Sequence, residues 1–327
     1  MRTEPLAGPL LSIENLGIEL RTDRGSLDLV DDLSLCVYPG ETLGIVGESG
    51  CGKSITALSI LRLIEPPLSV ARGRILFRGE DLLACSRARM REIRGNAVSM
   101  IFQEPMTSLD PLFTIESQLT EALTFHRSPG RAEARAAVTD ILRRVGIART
   151  EGVLASYPHQ LSGGMLQRVM IAMAMLCDPA LLIADEPTTA LDVTIQAQIL
   201  ALMNELQESR GTSILLITHD LGVVAETCRR VAVLYRGQIV EQGDVERIFR
   251  NPLHPYTRGL LRSVRSLGNA ERRLYAIRGT VPSGPLETGC RFRSRCDEAE
   301  DPCKAPQVLQ DRGDGHLCRC CRTREAL

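Results

Sequence analysis

One octapeptide near the beginning of the chain constrains its fold more than any other feature, and it reads Gly47-Glu48-Ser49-Gly50-Cys51-Gly52-Lys53-Ser54. It matches the pattern G-x-x-x-x-G-K-[ST], whose backbone N–H groups surround phosphate groups. An apolar run, 43–46, precedes it, and a predicted helix, Ile55 to Leu63, follows it. This order of strand, loop and helix predicts a P-loop in an α/β fold. Lys53 is expected to reach the β- and γ-phosphates and Ser54 to bind Mg²⁺.

Three further apolar runs each end in a polar side chain. They are Leu181 to Ala184 before Asp185 and Glu186, Ile214 to Thr218 before His219, and Ala97 to Phe102 before Gln103. Continuous apolar runs are typical of parallel strands buried on both faces, and open α/β sheets bind ligands at the carboxyl ends of such strands. We therefore expect Asp185 to hold Mg²⁺ and Glu186 to polarise the attacking water. His219 is expected to contact the γ-phosphate, and Gln103 to sense the metal and the nucleophile.

A second anion-binding segment is predicted at Ser162-Gly163-Gly164, just before the apolar helical stretch Val169 to Leu176. Ser162 is a favourable N-cap residue, and the two glycines expose backbone N–H groups. Taken alone, the segment is only a capped helix start. Together with the P-loop, it predicts a second site for phosphate.

The ordered set resembles the nucleotide-binding subunits of ABC transporters, with residues 162–167 similar to their signature motif and Ala190-Leu191-Asp192 similar to the loop after the second carboxylate motif. The resemblance implies an ABC-type α/β fold with an inserted helical subdomain. It also implies ATP hydrolysis with Mg²⁺ at Ser54, Gln103 and Asp185. Two such domains would face head to tail, so that the signature residues of one close on ATP held by the other. The implied ATP-binding set adds Ser162, Gly163, Gly164, Gln167 and Asp192 to residues 47–54.

The resemblance narrows to the oligopeptide, dipeptide and nickel import ATPases through the segments 102–111, 185–194 and 251–257 and a cysteine-bearing tail. It implies a peripheral subunit at the cytoplasmic face of a bacterial inner membrane. The implied partners are a second, related but distinct ATPase, two transmembrane permease subunits and an extracytoplasmic solute-binding protein. Import of nickel or a metallophore stays open as an alternative. An ABC-type ATPase acting on nucleic acid or ribosomes is disfavoured, because the chain has neither a long coiled-coil insertion nor a second ATPase unit.

Composition agrees with a folded protein whose partners are not nucleic acids. Of the 327 residues, 44% are hydrophobic and 24% charged, which is enough to form a core. The formal net charge of −1 gives no general attraction to nucleic acid. No stretch approaches the roughly 18 apolar residues that span a bilayer, and residues 1–9 lack the apolar core of a signal peptide.

The predicted layout is an ATPase domain at 11–250, with its helical subdomain at about 114–177, and an accessory region at 251–327. Ile195 to Glu208 is expected to form an amphipathic helix that ends at Gly211. The resembled family stacks an aromatic ring on adenine, but no aromatic residue lies between Glu14 and Val37. Arg24 lies near the expected position, where its guanidinium plane could replace the ring.

The tail contains six of the eleven cysteines. A reducing compartment favours a metal over disulfides, and four thiolates can hold a [4Fe–4S] cluster or zinc. The expected ligands are Cys290, Cys296, Cys303 and Cys318, with His316 as an alternate. Three interleaved arginines are expected to offset thiolate charge, namely Arg291, Arg293 and Arg295. The resemblance implies an iron–sulfur cluster, whereas the residues alone leave cluster, zinc and free thiols open.

Overall fold

The computed structural model describes residues 8–23, 25–104, 108–189, 191–268, 275–282, 284 and 288–322, with only the backbone at 264–268. Arg24, the residue expected on the adenine ring, and Ala190 of the loop after the second carboxylate motif therefore lie outside the described residues.

The described residues form twelve strands, which are β1 Leu11–Thr22, β2 Gly25–Val37, β3 Thr42–Val46, β4 Leu68–Phe77, β5 Glu80–Asp81, β6 Val98–Ile101, β7 Leu181–Asp185, β8 Ser213–Thr218, β9 Arg230–Tyr235, β10 Gln238–Asp244, β11 Gln310–Asp311 and β12 Leu317–Cys318. They also form ten α-helices, which are α1 Lys53–Ile60, α2 Arg87–Ile93, α3 Ile115–Arg127, α4 Arg131–Arg144, α5 Thr150–Leu154, α6 Gly163–Met175, α7 Val193–Arg210, α8 Leu221–Thr227, α9 Val245–Arg250 and α10 Pro255–Gly268. Short 3₁₀ helices occur at Pro158–Gln160, Arg293–Arg295 and Asp301–Lys304.

The chain is divided into two compact structural units. The first comprises Tyr38–Glu41 and Ala84–Leu216, and the second comprises Pro9–Val37, Thr42–Leu83 and the described residues from Ile217 on. The second unit therefore contains both the P-loop and the cysteine-bearing tail, although these lie more than 200 residues apart in the sequence.

The first unit contains the helices predicted for the inserted subdomain and the strand β7, which ends in carboxylates. β7 follows β8 and precedes β6 in the strand order, and β6 pairs in parallel with β7, with Ile101 opposite Ala184. All five residues of β7 are buried, as its continuous apolar sequence predicts. α7 begins two residues earlier than predicted and ends at Gly211, whose φ of 69° is the left-handed conformation of a C-cap glycine.

The second unit combines an antiparallel sheet, ordered β2-β1-β4-β5, with a strand series ordered β11-β12-β10-β9-β3. β3 runs parallel to β9, which places Val46, the last residue before the P-loop, opposite Val233. The helix after the loop, α1, begins at Lys53 and stops at Ile60 instead of continuing to Leu63. The break occurs because Arg62 adopts a φ of 51°, which no helix interior allows.

Aromatic side chains form part of the core of the second unit. Tyr235 ends β9, Tyr256 lies in the first turn of α10, and Phe292 precedes a 3₁₀ helix. Their ring centroids lie 4.7 to 5.3 Å apart. Since such tilted and edge-on contacts stabilise aromatic clusters, these rings fasten the tail residues around Phe292 to β9 and α10.

Candidate nucleotide site

Two glycines, Gly47 and Gly52, are required by the backbone of the P-loop in the second unit. A Cβ atom on Gly47 would lie 2.2 Å from the carbonyl oxygen of Leu234 in β9, so no other residue fits there without moving a central strand. Gly52 has a φ of 106°, a conformation that residues with a side chain rarely adopt. These two glycines hold the loop tightly before α1, as the predicted phosphate cradle requires.

Lys53 folds back over the loop. Its Nζ atom donates to the carbonyl oxygens of Gly47 at 2.8 Å and Glu48 at 3.2 Å, and the side chain is only 5% exposed. A buried ammonium group whose oxygen partners here are neutral carbonyls is well suited to receive an anion. Cys51 is buried beside it, and burial raises the pKa of that thiol. His219, which follows β8, is exposed in this same unit.

The first unit contains the predicted carboxylates. Asp185 is the buried last residue of β7, and Glu186 follows it in a left-handed conformation with a φ of 48°. The Glu186 carboxylate accepts hydrogen bonds from Gln103 Nε2 at 3.4 Å and Thr189 Oγ1 at 2.8 Å. Gln103 and Glu186 thus follow the ends of the neighbouring strands β6 and β7, and the two side chains are in contact. Strained backbone of this kind at a polar strand end is typical of functional sites.

Ser162 caps α6, as its sequence predicts, because its Oγ atom accepts from the backbone N–H of Met165. Asp192 caps α7 in the same way through the N–H of Ile195 at 2.9 Å. Gln167 is buried, and its Nε2 atom has no hydrogen-bond partner in the part of the chain that the structure describes. Gly163 and Gly164 form the exposed and half-buried first turn of α6, where unpaired N–H groups of a helix start lie.

The segment 251–257 surrounds one buried carboxylate in the second unit. Glu241 of β10, which is fully buried, accepts the backbone N–H groups of Leu253 at 2.7 Å and His254 at 2.9 Å. The imidazole Nε2 of His316 lies 2.7 Å from the same carboxylate. His316 is thus engaged with Glu241, and the sequence analysis did not foresee that partner.

Two residues that the sequence analysis missed contact the P-loop. The Tyr256 Oη atom accepts the backbone N–H of Glu48 at 2.9 Å. Arg295 donates to both carboxylate oxygens of Glu48, at 2.6 and 3.0 Å. The alternation of arginines and cysteines in the tail is the signal that could have found Arg295, but the sequence by itself predicts that these arginines offset thiolate charge. That prediction is wrong for Arg295, and also for Arg291, which pairs with Asp31 of β2.

Most of the thiols in the C-terminal tail lie near one another, whereas that of Cys318 lies opposite a carboxylate. The Sγ atoms of Cys303 and Cys321 are 3.5 Å apart. Burial raises the pKa of Cys290 to about 11, and the neighbouring thiols of Cys303, Cys320 and Cys296 add to that rise. Cys318 instead lies in β12 opposite Glu241. Burial raises the pKa of its thiol, and the negative charge of that carboxylate raises it further.

No group of three or more histidine, cysteine, aspartate or glutamate side chains within the described ranges is arranged to hold a metal ion. Likewise, none of the helices that the structure describes has the length and apolarity to cross a bilayer.

Two family models match the chain. Residues 30–189 match the ABC transporter model, and residues 240–303 match the model of the oligopeptide/dipeptide transporter C-terminal region. The first covers the P-loop and the carboxylates, and the second covers Glu241, Tyr256 and Arg295.

Curated relatives match over nearly the full chain. A protein of Brucella ovis named as a peptide import ATP-binding protein is 49% identical over 97% of this chain and 98% of its own length. A Sinorhizobium fredii protein named as a peptide ABC transporter ATP-binding protein is 50% identical over 100% of this chain and 99% of its own.

Solved structures share the fold. A dimeric bacterial ABC transporter cassette, MJ0796, is 25% identical with a TM-score of 0.65, covering 72% of this chain and 98% of that one. The protein cbiO1 of Clostridium perfringens is 27% identical with a TM-score of 0.63, covering 74% of this chain and 91% of that one. The predicted α/β ATPase fold is thereby confirmed, and the chain belongs to the ATP-binding proteins of the ABC transporter family, with the oligopeptide/dipeptide type of C-terminal region.

Proposed function

We propose that this ATPase drives the import of peptides. The observation that carries the proposal is the pairing, in one chain, of the ABC transporter motifs with a C-terminal region of the oligopeptide/dipeptide type. Relatives of nearly equal length that are named for peptide import support it.

We assign phosphate binding to residues 47–54, with Lys53 at its centre. Its Nζ atom now rests on two carbonyl oxygens, and phosphate oxygens would replace them as better partners for an ammonium group. The Ser54 hydroxyl, the Gln103 amide and the Asp185 carboxylate are oxygen donors of the type that Mg²⁺ prefers. Bound Mg²⁺ would neutralise charge on the β- and γ-phosphates.

Glu186 is our candidate for the group that orients and polarises water. Its carboxylate is held by Gln103 and Thr189, so it is aimed by two neighbours before substrate binds. His219 is assigned to the γ-phosphate. Ser162, Gly163, Gly164, Gln167 and Asp192 are assigned to ATP held by a second ATPase subunit, because the first turn of α6 offers unpaired N–H groups to an anion.

Transmembrane permease subunits are the proposed partners of the helical part of the first unit. Leu112 is 80% exposed, Phe125 65% and Phe113 53%, and all three lie between β6 and the end of α3. Large exposed apolar side chains in one segment are typical of a protein-binding surface. The proposed location of this subunit is peripheral, at the cytoplasmic face of the membrane. An extracytoplasmic solute-binding protein would deliver the peptide to the permease subunits.

The expected cluster ligands, Cys290, Cys296, Cys303 and Cys318, do not fit a metal centre as they lie in the described residues. A [4Fe–4S] cluster or zinc at these thiols stays a prediction of the sequence. Iron, sulfide and zinc analysis of anaerobically purified protein measures it directly. About four irons per chain would support a cluster, and stoichiometric zinc would replace it.

Peptide uptake by cells provides the test of function. We expect cells that carry the Lys53→Ala variant to lose uptake of a defined mixture of di- to pentapeptides, measured by mass spectrometry, while a chromosomal wild-type copy restores it. Unchanged peptide uptake together with lost nickel uptake would overturn the peptide assignment but not the ATPase.

A further inference from the structure

The conformation of the P-loop depends on more than its own glycines. Glu48, the first variable residue of the motif, is held at its backbone by Tyr256 and at its side chain by Arg295. These partners are 208 and 247 residues away in the sequence, and both belong to the same compact unit as the loop. We call Tyr256 and Arg295 the P-loop clasp.

Arg295 is fully occupied in this arrangement. A guanidinium group has five N–H donors. Besides the two bonds to Glu48, its Nε atom donates to the carbonyl oxygen of Arg278 at 2.8 Å and its Nη2 atom to that of Gly279 at 3.1 Å. Nη1 also lies 3.5 Å from the Tyr235 hydroxyl. The Arg295 side chain is 5% exposed and the Glu48 side chain 29%, so this forked contact is partly shielded from water and salt.

Tyr256 contributes a contact of a different kind. Its ring is completely buried among Tyr235 and Phe292, which leaves the hydroxyl at the edge of the aromatic cluster facing the loop. The hydroxyl accepts a hydrogen bond from the Glu48 N–H, so this N–H is already paired and is not offered to a phosphate. The clasp therefore selects which N–H groups of the loop remain for the ligand.

Phosphate binding removes the contacts that Lys53 now makes with the loop. When its Nζ atom turns to phosphate, the carbonyl oxygens of Gly47 and Glu48 lose the ammonium donor, while that of Glu48 still accepts the Cys51 N–H at 3.3 Å. The loop then depends on its remaining contacts to stay in one conformation. Those that reach Glu48 from the C-terminal region are the clasp.

We propose that Tyr256 and Arg295 are positioning residues of the nucleotide site, through which the C-terminal region sets the affinity of the P-loop for ATP. The inference rests on the proposed assignment of residues 47–54 to phosphate. It extends that assignment, because the C-terminal region becomes a determinant of ATP affinity. Both residues contact Glu48, and they act on the nucleotide site through it.

Equilibrium binding of MgATP to the purified full chain, measured by calorimetry, tests the proposal. We expect Arg295→Gln to raise the Kd about tenfold, because a two-bond charged contact is lost, and Tyr256→Phe to raise it about threefold for one neutral bond. In steady-state hydrolysis the KM should rise by similar factors while kcat stays within about twofold, since the reacting groups are untouched. Arg247→Gln is the matched control, because Arg247 also pairs with a carboxylate in this unit, at 2.6 Å from Asp314, but away from the loop.

A double-mutant cycle separates positioning from general loosening. Glu48→Gln and Arg295→Gln together should weaken binding no more than the stronger single variant. Additive losses, or wild-type Kd values in Arg295→Gln and Tyr256→Phe, would overturn the inference. If Arg295→Gln does not fold, Tyr256→Phe decides, because it retains the buried ring. Failure of the wild-type chain to bind MgATP would instead refute the phosphate assignment itself.

Discussion

His254 makes the stability of the second unit sensitive to acid. The side chain is 1% exposed, and its Nδ1 atom accepts the backbone N–H of Tyr256 at 3.1 Å. Burial lowers the pKa of His254 from 6.5 to about 4, opposed in part by the Glu241 carboxylate and reinforced by Arg258. The folded protein therefore holds a neutral imidazole, and the Nδ1 atom is its acceptor nitrogen.

The sign of the effect follows from the two pKa values. Between pH 6.5 and 4 the unfolded chain binds a proton at His254 that the folded chain does not, so the free energy of unfolding falls as the pH falls. Above pH 6.5 the imidazole is neutral in both the folded and the unfolded chain, so the full stability is present there. Since one pKa unit corresponds to about 1.4 kcal/mol, the loss at pH 4.5 is about 2.5 kcal/mol. That is a large part of the roughly 5–15 kcal/mol that stabilises a typical domain.

His254→Asn is the variant that isolates this group. The asparagine side-chain oxygen can accept the N–H two residues later, as in an Asx-turn, but it does not titrate. We expect urea unfolding at pH 7.5 and 4.5 to show a loss of stability that is about 2.5 kcal/mol smaller in the variant than in the wild type. The other four histidines are the same in both proteins, so their contributions cancel. Equal pH dependence of the two proteins would refute the reasoning.

Three other changes probe the carboxylate that we assign to the attacking water, the β9–β10 turn and the buried Glu241. Glu186→Gln should retain ATP binding and lower kcat at least about a hundredfold in an ATPase assay, because the water loses its polarising group; wild-type turnover would exclude the assigned role. Gly237→Ala should destabilise the fold by about 2 kcal/mol or more in thermal unfolding, because the added Cβ would lie 2.1 Å from the Leu29 carbonyl oxygen at a φ of 78°. Gly152→Ala, which meets open space in α5, should cost nothing, and equal melting temperatures of the two variants would contradict this account. Glu241→Gln should lower the free energy of unfolding by about 2 kcal/mol, since two backbone N–H groups lose a charged acceptor, and an unchanged urea midpoint would show that those bonds are weak.

The helix caps and the buried strand of this chain could be predicted from the residues that form them. Ser162 and Gly211 were predicted as helix ends, and both are, because a cap depends on the side chain and backbone of residues next to each other. The buried strand β7 was predicted for the same reason, since a continuous apolar run has few other places to go. Helix limits were less certain, as α1 shows, because the turn at Arg62 is not a property of any single residue type.

By itself, the sequence determined the motifs, their order and the chemistry that each can perform, since a phosphate loop, a capped helix start and a strand ending in carboxylates are built from neighbouring residues. Only the tertiary structure decided which side chains support them. Arg295 was assigned to thiolates and binds Glu48, while His316 was offered as an alternate metal ligand and bonds Glu241. The physical reason is that the partner of a buried charge is chosen by packing among elements far apart in the chain, where the unpaired alternative is too costly to persist.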